Sequence, residues 1–561
     1  MKTKRFSPKK KDRIKIIRGT LQGIVLLVLL IVILKAVFTF SQYKPYDYND
    51  LTSNEDNGFI AVSYFGVDRA GSDTLISTES LEKQLKALKD NGYVTITQQD
   101  ILDYYNEGKE LPDKALFLLY EDGRRDTAIF AQKIMEKYNY KATMLTYADK
   151  FEKNDPKFLM PEDLTELVDS SYWELGTNGY RLEYINVFDK ENKYLGQLSS
   201  TEFSKLSDTI NRNYNHYLMD FIRDEYNIPL ETYSEMEERI NSDYEELSEI
   251  YTRELGSVPI LYSLMHSNTG QFGTNDKASS INGKWIKDLF SMNFNREGYS
   301  LNTRESSIYD LTRIQPQSYW STNHLLMRIW DDTKGEMNFV VGDEEKSRDF
   351  QEIKGQAEFI DDTIILTSLP KDKGLIKLLN SDNYKDIKIS TELNGNIIGS
   401  QAIYFRASDD LKDSLCVKLI NNNINIIETI NGDEEILYSL DLNNGKDINE
   451  VDIKESDSKK IEININDNKL NLALDGKIIV EGLEVKNTNK GGIYLEATWG
   501  EYGYSQRNIA DDVYDGVFKK FKVSEINDTI LYDSSLKGFD LIRYNLRNYF
   551  NKVINWFIKY L

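Results

Sequence analysis

Residues 111–126 read LPDKALFLLYEDGRRD, and they indicate the fold class more directly than any other part of the chain. The run 115–120 is continuously apolar, which is typical of a strand buried on both faces of a parallel sheet. A helical pattern follows over 127–138, and a second apolar run occupies 142–147. Strands that alternate with helices in this way predict right-handed βαβ units and a parallel sheet or barrel.

The same alternation extends on both sides of this stretch. It begins with the apolar run at 59–65 and resumes at 258–265, beyond residues 189–255, which are polar and helical in pattern. We interpret residues 58–335 as one α/β domain built on this parallel sheet or barrel, and 189–255 as a helical insertion over one end of it.

A period of two marks a second domain. Alternating isoleucines at 461–465 precede Asp475-Gly476, a dipeptide that favours a hairpin turn, and short strands with turns continue to about residue 530. We predict an all-β sandwich over residues 345–530. Its segments GGIYLEATWG (491–500) and DGVFKKFKV (515–523) resemble concanavalin-like and laminin-G-like sandwiches.

The N-terminal residues predict a membrane anchor. Residues 1–18 are strongly basic, and residues 19–40 contain an apolar run long enough to cross a bilayer as a helix. The basic flank predicts a cytoplasmic N-terminus, a single span, and a stalk at 41–57 that leads to an extracellular bulk. A cleaved signal peptide is the alternative, but no small-residue cleavage pattern follows the apolar run. These features suit a bacterial cell envelope.

Charge and composition exclude several classes of function. The 561 residues carry a formal net charge of -22, so a phosphate backbone would be repelled and nucleic acid is excluded as a partner. Cys416 is the single cysteine, which excludes an intrachain disulfide and a cysteine-based metal site. The three histidines are His216, His266 and His324.

The C-terminal segment 536–561 returns to a helical pattern that is rich in aromatic and basic residues. Such an amphipathic helix fits an anionic membrane surface or a protein partner. Packing of the helix back onto the β domain is the other interpretation.

Two adjacent acids, Glu121 and Asp122, precede Gly123 at the end of the apolar strand 115–120. Parallel α/β folds place their chemistry at this end of the strands, where two acids can supply a base and a ligand or charge stabiliser. The structural alternative is a helix N-terminus, at which acidic side chains are favourable.

In these motifs the chain resembles the polysaccharide deacetylases, the NodB-homology family also called carbohydrate esterase family 4. The resemblance implies an irregular barrel of parallel strands that deacetylates N-acetylated sugars in cell-surface glycans. It is carried by SYFGV (63–67), ISTESLEKQLKALKDNGYVTIT (76–97), LPDKALFLLYEDGRRD (111–126), YNYKATMLT (138–146) and WELGTNGY (173–180).

The resemblance also implies roles for individual residues. Glu121 stands where the family has an aspartate base, Asp122 matches the aspartate ligand of a divalent metal, and His266 matches the general-acid histidine. Asn178 and Leu182 occupy the positions of the family's two histidine ligands. Because zinc catalysis relies on about three strong protein ligands, we expect the standard zinc site to be missing.

Two functions remain open at this point. The barrel is either a pseudoenzyme that binds or guides a cell-surface polysaccharide, or an active hydrolase that uses Glu121, Asp122 and His266. A pair of carboxylates such as Glu121 and Glu174 is one form of the second interpretation. Proteins of polysaccharide synthesis or export are candidate partners. The predicted substrate-binding residues are Asp68, Arg69, Arg124, Arg125, Asn178 and Arg181.

Overall fold

The computed structural model describes residues 8–37, 41–47, 57–207, 209–211, 215–264, 273–443, 445, 451, 455–500 and 511–560, without the side chains of 8–11, 14, 32–37 and 558–560. Helix α1 (Pro8–Val37) comes first. Over these described residues, no helix combines the length and the apolar character needed to cross a membrane. The span over residues 19–40 extends beyond them and stays a prediction.

The first domain is built on a mostly parallel sheet. Its strands are β1 (Phe59–Tyr64), β4 (Val94–Thr95), β5 (Ala115–Tyr120), β6 (Ala142–Tyr147), β7 (Trp173–Gly179), β11 (Leu261–Tyr262), β12 (Met292–Glu297), β13 (Leu301–Asn302) and β14 (Leu311–Arg313). Parallel pairing runs from β1 through β5, β6, β7, β11 and β12 to β14, with β4 beside β5 and β13 antiparallel to β1.

The sheet returns to its first strand. The Ser63 amide donates to the Ile314 carbonyl at 2.9 Å, and the Ile314 amide donates to the Ala61 carbonyl at 3.0 Å. These bonds place the end of β14 beside β1, so the strands enclose a barrel. The predicted parallel α/β barrel is confirmed in its strand order.

Helices cover the outside of the barrel because each has one apolar face. In the second helix of the chain, Leu81, Leu85 and Leu88 are buried against the sheet, as their spacing predicts. Asp100 and Thr97 form a capping box that begins the next helix. The helices are α2 (Thr78–Asp90), α3 (Gln98–Asn106), α4 (Arg125–Tyr138), α5 (Asp149–Lys153), α6 (Pro161–Asp169), α9 (Asp276–Leu289) and α10 (Thr322–Thr333). Two short strands, β2 (Val67–Asp68) and β3 (Ile76–Ser77), pair in parallel outside the barrel sheet.

The insertion is only partly helical, which corrects the prediction for residues 189–255. It contains α7 (Ser200–Leu206) and α8 (Tyr233–Leu255), but also β9 (Tyr194–Ser199) and β10 (Asn215–His216), which form an antiparallel sheet with β8 (Glu183–Phe188) just before it. Asn186 and Asn192 adopt positive φ angles, which asparagine tolerates. Register shifts between β8 and β9 interrupt the period of two that would have predicted strands.

The second domain consists of two antiparallel sheets around a separate apolar core, in agreement with the all-β prediction. One sheet has the order β15 (Phe350–Lys354), β18 (Lys373–Leu378), β27 (Gly492–Thr498), β20 (Ser400–Ala407), β21 (Ser414–Ile420), β22 (Asn423–Ile430) and β23 (Asp433–Asp441). The other has the order β16 (Gln356–Ile360), β17 (Thr363–Thr367), β28 (Asp515–Glu525), β19 (Ile387–Leu393), β24 (Lys459–Asn466), β25 (Lys469–Leu474) and β26 (Lys477–Glu484), with β29 (Ile530–Asp533) on β28. The short helix α11 (Glu344–Ser347) precedes both sheets.

A buried group of charges joins the two domains. His324 on α10 lies between two carboxylates, with its Nε2 2.8 Å from Asp511 and its Nδ1 3.1 Å from Asp515. Arg328, one turn later on α10, donates to Asp511 at 2.9 Å. The chain ends with α12 (Gly538–Tyr560).

Candidate functional site

The acidic pair lies at the carboxyl end of β5, inside the barrel. Glu121 is fully buried, and its Oε1 accepts hydrogen bonds from the Ser63 hydroxyl at 2.5 Å and from Arg313 Nε at 2.9 Å. Its Oε2 has no hydrogen-bond partner among the described residues. One carboxylate oxygen of Glu121 is therefore held in place, and the other remains available.

Arg313 is the cation that balances this carboxylate. It is fully buried at the end of β14 and also pairs with Glu297 at 3.0 Å. Burial opposes the charge, but the carboxylates of Glu121 and Glu297 raise the pKa of Arg313. The adjacent Arg124 and Arg125 do not take this place, because Arg124 pairs with Asp126 and Arg125 with Asp163.

Asp122 has a different environment. It adopts a φ angle of 69°, and its amide donates to Asn178 Oδ1 at 3.2 Å. Its Oδ1 is buried without a hydrogen-bond partner among the described residues. Burial, and then the neighbouring charge of Glu121, raise the pKa of Asp122 to about 7, although Lys150 and Arg124 act in the opposite direction. This carboxyl group therefore changes its charge near neutral pH.

Asn178 connects three strand ends rather than offering a ligand. Its Oδ1 accepts from the amide of Asp122, and its Nδ2 donates to the Ser263 carbonyl at 2.9 Å. The side-chain oxygen of Asn178 is thus already bonded to the backbone after β5, and its side-chain nitrogen is bonded to the backbone after β11. Leu182 packs against the apolar cluster of the insertion sheet.

These residues do not fit the zinc that the family resemblance implies. Position 178 carries an engaged amide and position 182 carries an alkyl group, neither of which replaces an imidazole. Within the part of the chain that the structure describes, no group of three His, Cys, Asp or Glu side chains could hold a metal ion. His266 lies outside the described residues, so its role as general acid stays a prediction.

Two other polar groups belong to this end of the barrel. Tyr147 ends β6, and its hydroxyl is buried without a hydrogen-bond partner among the described residues. Burial, and then the charge of Asp122, raise the pKa of Tyr147. The hydroxyl of Ser263, after β11, is likewise buried without a described partner. We call these groups, together with Glu121, Asp122 and Arg313, the acidic mouth.

Sequence reasoning missed Ser63, Tyr147 and Arg313. Ser63 lies in the otherwise apolar run of β1, which is an unusual place for a polar side chain, whereas Arg313 ends the short strand Leu311–Arg313. That local contrast was the available signal. Nothing in the neighbouring residues identified Glu121 as the partner of either side chain.

The predicted substrate-binding residues are mostly engaged within the protein. The carboxylate of Asp68 accepts from the amides of Ala70 and Gly71, and Arg69 Nε donates to Asn555 of α12 at 3.0 Å. Arg181 lies 3.4 Å from both Glu183 and Asp243. Their role toward a substrate stays a prediction.

The structure does not place Glu174 with the acidic mouth. Its carboxylate accepts from the amide of Gln98 at 3.0 Å, at the first residue of α3. Burial raises its pKa, and the charges that act on it belong to Lys141 and Asp100. Glu174 therefore caps an outer helix, and the proposed pairing with Glu121 is wrong.

The comparisons with known proteins concern the barrel. No family model matches the chain. Over 200 residues it is 26% identical to a poly-β-1,6-N-acetyl-D-glucosamine N-deacetylase of Escherichia coli K12, a match that spans 34% of this chain and 28% of that enzyme.

Two solved structures are also similar to parts of this chain. A de-N-acetylase from Aggregatibacter actinomycetemcomitans is 20% identical, with 47% of this chain and 95% of that chain covered at a TM-score of 0.35. IcaB from Ammonifex degensii is 16% identical, with 46% and 92% covered at a TM-score of 0.33. The match to the Escherichia coli enzyme confirms that this chain resembles the polysaccharide deacetylases.

Proposed function

We propose that the barrel binds an N-acetylated cell-surface polysaccharide at the acidic mouth and hydrolyses its acetamide groups. The observation that carries this proposal is the buried acidic pair, in which Glu121 Oε2 and Asp122 Oδ1 have no described hydrogen-bond partner. The similarity to an N-deacetylase of poly-β-1,6-N-acetyl-D-glucosamine supports the class of substrate.

The reaction needs a base, an acid and a donor for the carbonyl oxygen. Water adds to the acetamide carbon, the carbon–nitrogen bond breaks, and a proton passes to the leaving amine, which yields acetate and a free amino sugar. Asp122, with a pKa of about 7, can take a proton from the water near neutral pH. Tyr147 offers a hydroxyl donor, and His266 remains the predicted acid. No step is assigned to a metal.

A second candidate is a barrel that binds or guides the polysaccharide without cleaving it. The engaged amide of Asn178 favours this function, because the family's metal-ligand position here serves to hold strand ends together. The pairing of Glu121 with Arg313 also favours binding without cleavage, since a carboxylate that is paired with a cation is a weaker base.

We further propose that the chain is anchored in a bacterial cell membrane through residues 19–40, with its bulk outside, and that it works with polysaccharide synthesis or export proteins. The apolar run and its basic flank support this topology. Protease added to intact cells should digest the barrel and the β domain. Digestion confined to residues 1–18 would contradict the proposed orientation.

The experiment measures binding and acetate release separately, with the full chain and oligomers of β-1,6-linked N-acetylglucosamine. We expect acetate release that Asp122→Asn abolishes while oligomer binding persists. Asp126→Asn is the matched control, because Asp126 lies in the first turn of α4 and pairs with Arg124. Binding without acetate release would favour the second candidate, and the absence of both would refute the proposed function.

A further inference from the structure

The C-terminal helix α12 presents a continuous apolar face to the outside. At 3.6 residues per turn, six of its large side chains fall on one side of the helix. Their exposed fractions lie between 51% and 76%, although such residues are normally buried. They are Phe539, Ile542, Leu546, Tyr549, Phe550 and Phe557.

The opposite, polar face of α12 holds the helix against the rest of the protein. Asn555 accepts from Arg69, which directly follows β2, and Arg547 pairs with Asp361 of the β domain at 2.5 Å. The pKa of Glu79 on α2 is lowered mainly by its hydrogen bond from Lys83 and further by the charge of Arg547. The helix is therefore attached by its polar side, which leaves the apolar side to an external partner.

The charge of α12 identifies the kind of surface that it fits. The whole chain carries a net charge of -22, yet within α12 the cations Arg543, Arg547, Lys552 and Lys559 are opposed only by Asp540. Basic residues that flank an apolar, aromatic face are characteristic of helices that lie in the surface of an anionic membrane.

We propose that α12 lies in the surface of an anionic lipid bilayer, with this apolar face among the acyl chains. The acidic remainder of the protein would be repelled by such a surface, so α12 determines which side of the molecule faces it. A second protein would not require the cations that border the apolar face.

This contact would bring the acidic mouth close to the bilayer. Arg69, which donates to Asn555, follows β2, the next strand after β1, and Ser63 near the end of β1 donates to Glu121. The helix and the acidic pair are thus connected through the same end of the barrel. The membrane contact rests only on α12 and does not depend on the proposed hydrolysis.

The experiment uses the full chain with a single fluorescent bimane label. Leu546→Cys places the label on the apolar face, and Asn551→Cys places it on the opposite, exposed side of the same helix. The native Cys416 is only 2% exposed and should not react. Vesicles contain brominated lipids, which quench a bimane that enters the acyl region, and consist of phosphatidylcholine with or without phosphatidylglycerol.

We expect strong quenching of the label at position 546 in vesicles that contain phosphatidylglycerol, and little quenching at position 551. Any attachment through α1 is the same for both variants, so it cannot produce this difference. Arg543→Gln together with Lys552→Gln should reduce the quenching at position 546.

Three outcomes would overturn the proposal. The first is an absence of quenching at position 546 in either vesicle. The second is equal quenching with and without phosphatidylglycerol, because the cations would then have no role. The third is concentration-dependent self-quenching between labelled chains without lipid, which would assign the apolar face to a second copy of the chain.

Discussion

At the scale of single residues, the ion pair between Glu121 and Arg313 is the most consequential contact of the barrel. Both side chains are fully excluded from solvent, with 0% exposure. Arg313→Met should lower the free energy of unfolding by about 3–5 kcal/mol, because it leaves a buried carboxylate without its cation. Urea denaturation of the full chain measures this loss.

Arg253→Met is the matched control for this substitution. Arg253 pairs with Glu152 and Glu254, and its side chain is 48% exposed. Exposed ion pairs contribute about 0–1 kcal/mol, so the control should unfold almost as the parent does. Equal losses for the two variants would contradict a special role for the buried pair.

The pKa of Asp122 predicts a pH dependence. Burial raises this pKa from 3.8 to about 7, so the protonated form is favoured in the folded protein. The contribution of Asp122 to stability is present below its unfolded pKa and is lost as the pH rises through about 7. Acetate release, which needs the carboxylate, should show the opposite trend and rise through about pH 7.

The pH–rate profile of acetate release tests this assignment. A rate that is already at its plateau at about pH 5 would show that Asp122 is not the titrating base. Asp126→Asn should leave the profile unchanged, since Asp126 lies in an ion pair with Arg124.

The ligand positions predict the metal content. Asn178 is engaged by two hydrogen bonds and Leu182 has no donor atom, so purified full chain should hold well under one zinc per chain. Elemental analysis measures this ratio. Zinc near one per chain that disappears in Asp122→Ala would contradict the prediction and exclude the pseudoenzyme interpretation.

At the scale of secondary structure, helix α10 connects the barrel to the β domain through His324. Burial opposes its charge, but Asp511 and Asp515 raise the pKa of His324 to about 9. Because the pKa is raised, the stabilisation is complete below about pH 6.5 and is lost as the pH rises through about 9. Thermal unfolding should therefore shift to lower temperature between these two values.

His324→Gln should remove this alkaline transition and lower stability at neutral pH. His216→Gln is the control, because His216 is also buried and its Nδ1 accepts a hydrogen bond from the Leu218 amide. If both variants keep the alkaline transition, the charged group between the domains is not its cause.

At the scale of the whole molecule, the two domains have separate apolar cores. The core of the β domain is formed by its own two sheets, so residues 345–530 should fold alone with a circular dichroism spectrum dominated by sheet. The isolated fragment should also be less stable than in the full chain, since Asp511 loses His324 and Arg328. A helical or unfolded spectrum would contradict the domain boundary.

Local patterns in the sequence were sufficient for much of this architecture. The apolar run 115–120 is a fully buried strand, and the isoleucines at 461–465 alternate on a strand of the β domain as predicted. The position of Glu121 and Asp122 at a strand end could also be predicted, because the pattern of neighbouring residues marks where a strand ends. The bulged strands of the insertion escaped prediction because their period is broken.

The contacts that define the acidic mouth depend on tertiary structure alone. Arg313 reaches Glu121 across 192 positions of the chain, and Asn178 and Ser263 meet because β7 and β11 are neighbours in the sheet. Closure of the barrel brings these groups together and removes water from around them. The same burial raises the pKa of Asp122, whereas the sequence by itself establishes only that the carboxyl group is present.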